Sequence, residues 1–85
     1  MTIQQLKKEL KTRYPEAWFR NGYDYNPDYK DYIWTGEGSY NNNSELLFDK
    51  NLYTDGINPE FKKYLDSVGA YCEWCDSTTV MININ

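Results

Sequence analysis

The 85-residue chain contains no histidine, which removes the commonest general base and the commonest metal ligand together. It has only two cysteines, Cys72 and Cys75, too few for a disulfide framework. No run approaches the ~18–20 apolar residues that a membrane span needs, and the N-terminus opens without the apolar stretch of a signal peptide. These shortages lead us to expect a cytoplasmic protein with reduced thiols and no membrane association. A chain of this length suits one domain, residues 1–85, and excludes a large α/β barrel. It seldom builds a cleft deep enough for paired-carboxylate glycoside chemistry. With no His to activate a Ser or Cys, the expectation is a non-enzyme that needs no cofactor.

What the chain does have is aromatic bulk. Trp, Tyr and Phe supply 15 residues (3 + 9 + 3). A small domain buries a modest fraction of its surface, so rings that each remove about 150–250 Å² from water are efficient core material. Many tyrosines are therefore expected to be structural, with hydroxyls at the boundary. Asn, Tyr, Lys and Ile are abundant and Ala and Arg scarce, a pattern that AT-rich codons produce. That bias is compatible with a phage or mobile-element accessory protein.

Charge is unevenly placed within a net of −4. Residues 1–20 hold Lys7, Lys8, Lys11, Arg13 and Arg20 against Glu9 and Glu16. Residues 21–60 hold Lys30 and Lys50 against eight acids. An acidic middle of this kind suits a basic partner surface.

Local signals mark the ends of the chain well. Thr2 with Gln5 forms a capping-box pattern, and Ile3, Leu6 and Leu10 follow at helical spacing, so a helix is predicted over 3–13, ending before Pro15. Asn58, Pro59 and Glu60 supply a cap, a preformed first turn and a dipole-matched acid. Phe61, Tyr64, Leu65 and Val68 then form a stripe, closed by Gly69. Residues 70–75 and 79–84 flank a polar turn, and Val80, Ile82 and Ile84 alternate as in a half-buried strand, giving a C-terminal β-hairpin.

The middle is read with more difficulty. Asn21-Gly22 between aromatic flanks predicts a short type I′ hairpin. The run from Asn26 to Ile33 echoes Asn58 to Leu65, which points to a short helix over 27–34 closed by Gly36. Reuse of the same start chemistry explains that echo more simply than a duplicated unit. Residues 44–49 are a strand candidate, and Thr35-Gly36-Glu37-Gly38-Ser39 reads as a flexible loop. The expected fold is α+β, with two to three helices packed on one face of an antiparallel sheet.

Few motifs carry chemistry. Cys72-Glu73-Trp74-Cys75 is half a zinc site, completed only if a dimer shares the metal, and in a strand its two thiols point to opposite faces. The expectation is structural cysteines and no metal. Asp24-x-Asn26-x-Asp28 begins like a calcium loop but has Tyr29 where Gly belongs and Thr35 where Glu belongs, so it reads as a turn and cap.

The segment from Tyr23 to Tyr40 is the strongest functional candidate. Tyrosine offers a large contact area at low entropic cost. Here it alternates with carboxylates, and Tyr23, Asp24, Tyr25, Asp28, Tyr29, Asp31, Trp34 and Glu37 are the expected partner-binding residues. Phosphate backbones demand cations, which disfavours direct nucleic-acid binding through this stretch. The reading is a non-catalytic protein-binding module, an inhibitor or accessory that occupies a basic partner surface. The alternatives are a small-ligand or carbohydrate binder that stacks sugars on Trp34 and the tyrosines, and a nucleic-acid binder using Lys7, Lys8 and Lys11.

Overall fold

A computed structural model describes residues 1–85. The Thr2 hydroxyl accepts from the Gln5 N–H, and the Gln5 side chain accepts from the Thr2 N–H, which starts helix α1 (Ile3–Arg13). Leu6 and Leu10 on its inner stripe are fully buried. Two residues then form strand β1 (Arg20–Asn21), followed by one helical turn, α2 (Gly22–Tyr25), and a 3-10 turn over Pro27–Tyr29. Strand β2 (Ile33–Gly36), helix α3 (Pro59–Ser67), and strands β3 (Ala70–Trp74) and β4 (Thr79–Ile84) complete the chain.

All strand pairings are antiparallel, in the order β1-β2-β4-β3. The predicted α+β class and the C-terminal hairpin are present. So are both predicted long helices, with Asn58 Oδ1 accepting from the Glu60 and Phe61 amides. Gly69 sits at φ +73° just beyond α3, the left-handed position that ends a helix.

The period of two in the strands separates two faces of the sheet. Ile33, Ala70, Cys72, Trp74, Val80 and Ile82 point to the side where α1 and α3 pack, and they join Leu6, Leu10, Phe61 and Leu65 in one apolar core. Tyr14 meets Phe61 edge-on at 5.2 Å, and Phe48 meets it at 5.4 Å. No helix is long and apolar enough to cross a membrane.

Four expectations for the middle of the chain are corrected. Asn21-Gly22 does not turn a tight hairpin: Asn21 has φ −69°, and β1 pairs with β2 across the intervening 22–32 segment. Residues 27–34 do not form a helix. The Asn26 cap works, accepting from the Asp28 amide at 2.9 Å, yet only one 3-10 turn follows. Ile33 and its neighbours are instead taken into the sheet between β1 and β4. The Asn26/Asn58 echo is thus one of start chemistry.

Residues 44–49 add no strand to the sheet. They make single bridges, Tyr40 to Leu46 and Phe48 to Ile57, and drop Leu47 and Phe48 into the core. The Asn41 side chain organises this loop by accepting from the Asn43 and Glu45 amides. Thr35-to-Ser39 is not a free loop either. Thr35 and Ser39 are buried with hydroxyls 3.2 Å apart, and Thr35 donates to the Trp18 carbonyl at 2.7 Å.

Candidate functional site

The second face of the sheet carries the candidate surface. Register places Arg20, Trp34, Met81 and Glu73 in one row across it, on the side away from α1 and α3. Met81 is fully buried although it belongs to no part of the main core. Leaving Trp34 and Met81 at the centre of this row open to water would be costly, and the Tyr25 ring of the 22–32 segment lies against Trp34.

Tyrosines fasten that segment down. The Tyr25 ring lies 5.2 Å from Trp34 and 6.1 Å from Tyr29, and Tyr29 meets Tyr32 edge-on at 5.3 Å. The Tyr25 hydroxyl donates to the Asp76 carboxylate at 3.1 Å, tying the segment to the β3–β4 turn. That bond holds the Tyr25 proton more tightly than usual. The Thr78 backbone amide, with the hydroxyls of Tyr25, Thr79 and Thr78, holds the Asp76 carboxyl below the usual carboxylate range. The Cys75 thiol beside Tyr29 pushes that phenol up to about 12.

Gly22 makes the close approach possible. A Cβ there would stand 2.2 Å from the Tyr29 carbonyl oxygen and 2.9 Å from that of Tyr32. The Gly22 amide itself donates to the Tyr32 carbonyl at 2.8 Å.

The expected site residues divide accordingly. Tyr23 and Tyr25 stand at the surface, 58% and 40% exposed, and Tyr29 is half-buried. Asp24, Asp28 and Asp31 are exposed, and none of them forms an ion pair. Trp34 is not a free platform. Trp18 meets it edge-on at 5.5 Å, Tyr25 covers it, and the Arg20 guanidinium lies 5.5 Å from its ring centre. Its Nε1 is buried without a hydrogen-bond partner. Glu37 lies apart, in a groove of about 600 Å³ that it shares with Tyr40, Leu46, Phe48, Asp49 and Trp74.

The fold adds residues that the sequence reading missed. Tyr71, Glu73 and Cys75 alternate with the core-facing Cys72 and Trp74, so they share the second face. Glu73 and Asp76 extend the acidic surface to five carboxylates, with Lys30 and the stacked Arg20 as the nearby cations. Strand alternation was the signal that could have found Glu73, once Cys72 was known to face the core.

The two cysteines are free. Burial pushes the Cys72 thiol up to about 12, far from a reactive thiolate. Cys72 enters the core and Cys75 turns to the tyrosine side, so the pair cannot close on one ion, and no three Cys, Asp or Glu side chains converge as ligands. On the basic helix, the Lys7 ammonium is held by Asn21 Oδ1 at 2.6 Å, leaving Lys8 and Lys11 exposed. Compared with known family models, curated proteins and solved structures, the chain matches none of them.

Proposed function

We propose that the protein is a non-catalytic binding module whose tyrosine-rich, acidic sheet face docks on a basic protein surface. One observation carries the reading. The 22–32 segment is anchored by its rings, while Asp24, Asp28 and Asp31 point into solvent with no cation paired to them. Rings fixed by packing lose little freedom when a partner arrives, and unpaired carboxylates are ready to meet lysine or arginine. Such charge complementarity acts mainly on encounter rate and choice of partner. An accessory or inhibitory role, covering a basic groove of a larger machine, is the biological setting this chemistry fits.

The test is partner capture by immobilised protein, read by mass spectrometry, with the triple variant Asp24→Lys/Asp28→Lys/Asp31→Lys beside it. Capture should fall with rising salt and disappear in the variant. A control with the same number of reversals at Glu9, Glu16 and Glu45, outside this face, should retain it. Equal capture by the triple variant, shown to be folded by circular dichroism, would end the proposal.

A second reading, small-ligand binding, is favoured by the groove of about 600 Å³ alone. Its volume is in the range of ligand sites. Tyr40, Phe48 and Trp74, rather than Trp34, are its aromatic residues, and Lys50 Nζ lies 4.5 Å from the Trp74 ring centre. Quenching of tryptophan fluorescence by simple sugars, lost in Tyr40→Ala, would favour this reading over the first.

A further inference from the structure

One cleft differs in charge from every other hollow on the molecule. It opens where the end of α1 meets β1, holds about 460 Å³, and is lined by Lys11, Pro15, Ala17, Trp18, Phe19 and Arg20. No carboxylate is among its walls, whereas a Glu or Asp lines each of the other hollows. The fold brings its two cations together from different elements. Lys7, one turn before Lys11 on the same side of α1, donates to Asn21 Oδ1 and so fastens that side of the helix to β1, which carries Arg20. Lys8 stands about 100° round the helix from Lys7 and takes no part in the cleft.

Both cations of the cleft are exposed and unspent. The side-chain hydrogen bonds made by basic residues are those of Lys7 to Asn21 and Lys62 to Asp55, and the second is also the chain's ion pair. Lys11 and Arg20 have neither. Rings hold Arg20 in place instead: its guanidinium carbon lies 5.2 Å from the Trp18 ring centre and 5.5 Å from that of Trp34. A cation–π contact of this kind uses no acceptor oxygen, so the five N–H donors of the guanidinium stay open to an oxyanion. A planar fork already positioned loses little freedom when it takes one.

We propose that this cleft binds a nucleotide, with its phosphate on the Arg20 guanidinium and the Lys11 ammonium and its ring system along the Trp18 wall. Charge selects the phosphate. Two unpaired cations with no acid between them suit a phosphate monoester, which carries close to two negative charges near neutral pH, and its oxygens match the arginine fork. Size and lining select the rest of the ligand. The volume falls in the range of small-molecule sites, well above what a bare phosphate fills, and Pro15, Ala17 and Trp18 make the remaining walls apolar. An indole at a basic wall is the pairing by which bases and phosphates are held together. None of Asp24, Asp28 and Asp31 lines the cleft, so the inference stands whether or not the acidic face docks on a basic partner.

The test titrates thymidine monophosphate into isotope-labelled protein at low salt, followed by amide NMR, with thymidine and inorganic phosphate in parallel. The monophosphate should shift the backbone amides of Lys11, Trp18 and Arg20 and the Trp18 indole N–H, and should saturate at lower concentration than either half alone. The shifts should weaken as salt rises. Lys11→Gln changes an exposed side chain that makes no bond, so the fold is not at stake, and it should weaken binding about tenfold. Arg20→Lys keeps the charge but loses the fork and should weaken binding as well. A thymidine oligonucleotide with a terminal phosphate separates the two sources of the ligand. Affinity above that of the mononucleotide assigns the cleft to a nucleic-acid strand, and affinity at or below it assigns the cleft to free nucleotides. No shift at millimolar monophosphate overturns the proposal. So does binding indifferent to Lys11→Gln, or inorganic phosphate or thymidine binding as tightly as the monophosphate.

Discussion

Gly22 separates two explanations of the same residue, and replacing it with alanine tests the architecture of the tyrosine face. If Asn21-Gly22 were a type I′ turn, both residues would need positive φ and both substitutions would be harmful. In the structure Asn21 has φ −69°, and Gly22 is required because backbone passes over it. An added Cβ would be 2.2 Å from the Tyr29 carbonyl oxygen, whereas ordinary contact begins near 3.4 Å. The obstacle is backbone, so no rotamer change relieves it. The covering segment must retreat by roughly an ångström, which breaks the 2.8 Å bond from the Gly22 amide to the Tyr32 carbonyl. Losing that bond costs about 1 kcal/mol. Loosening the Tyr25 ring from Trp34 forfeits a further 1–2 kcal/mol, roughly, of burial and dispersion.

Gly22→Ala should therefore destabilise by about 2–3 kcal/mol in equilibrium urea denaturation, lowering Tm by roughly 10–20 °C in a domain of this size. Asn21→Ala should cost less than about 1 kcal/mol, because it removes one exposed bond from Lys7. Equal and large losses in the two variants would restore the turn explanation. A loss below about 1 kcal/mol for Gly22→Ala would refute the close packing of the 22–32 segment.

Asn58→Ala removes the cap of α3 together with Nδ2 bonds to the Leu46 carbonyl and the Tyr53 hydroxyl, and should cost about 2–3 kcal/mol by the same denaturation assay. Tyr29 links stability to alkaline pH. Its proton is held more tightly in the folded state than in the unfolded chain, where the value is 10.0, so its contribution is complete below pH 10 and vanishes as pH passes about 12. Tyr29→Phe should make the fall in stability between those limits shallower, measured by urea titrations at stepped pH. An unchanged slope would remove the Cys75–Tyr29 contact from the account.

How much was legible in the sequence follows from how local each signal is. The capping box at Thr2, the Asn58-Pro59 start and the Gly69 stop all act within a few residues of where they are written, and α1 and α3 appear as expected. The β3–β4 hairpin likewise joins neighbours in sequence. Ile33–Gly36 was misread because its fate is settled by a distant partner, Thr79–Ile82, which pairs with it residue by residue. Four residues carry too little periodicity to announce a strand, and the Asn26 cap beside them announced a helix that the sheet outcompetes. The candidate site was half legible. The density of tyrosine and aspartate between 23 and 32 was evident, while Glu73 and Asp76 joined it only through the hairpin, Trp34 was covered by packing, and Glu37 lies apart in a separate groove.

Composition and spacing alone determined a small acidic α+β domain with two capped helices, a terminal hairpin and aromatic rings for core material. Tertiary structure alone decided which tyrosines became mortar and which stayed at the surface. The reason is geometric. Alternation along a strand assigns each side chain to one of two faces, but which face receives the helices depends on pairings between residues far apart in the chain. Met81 shows it best: apolar, opposite in phase to Val80 and Ile82, and yet fully buried on the face it shares with Trp34 and Glu73.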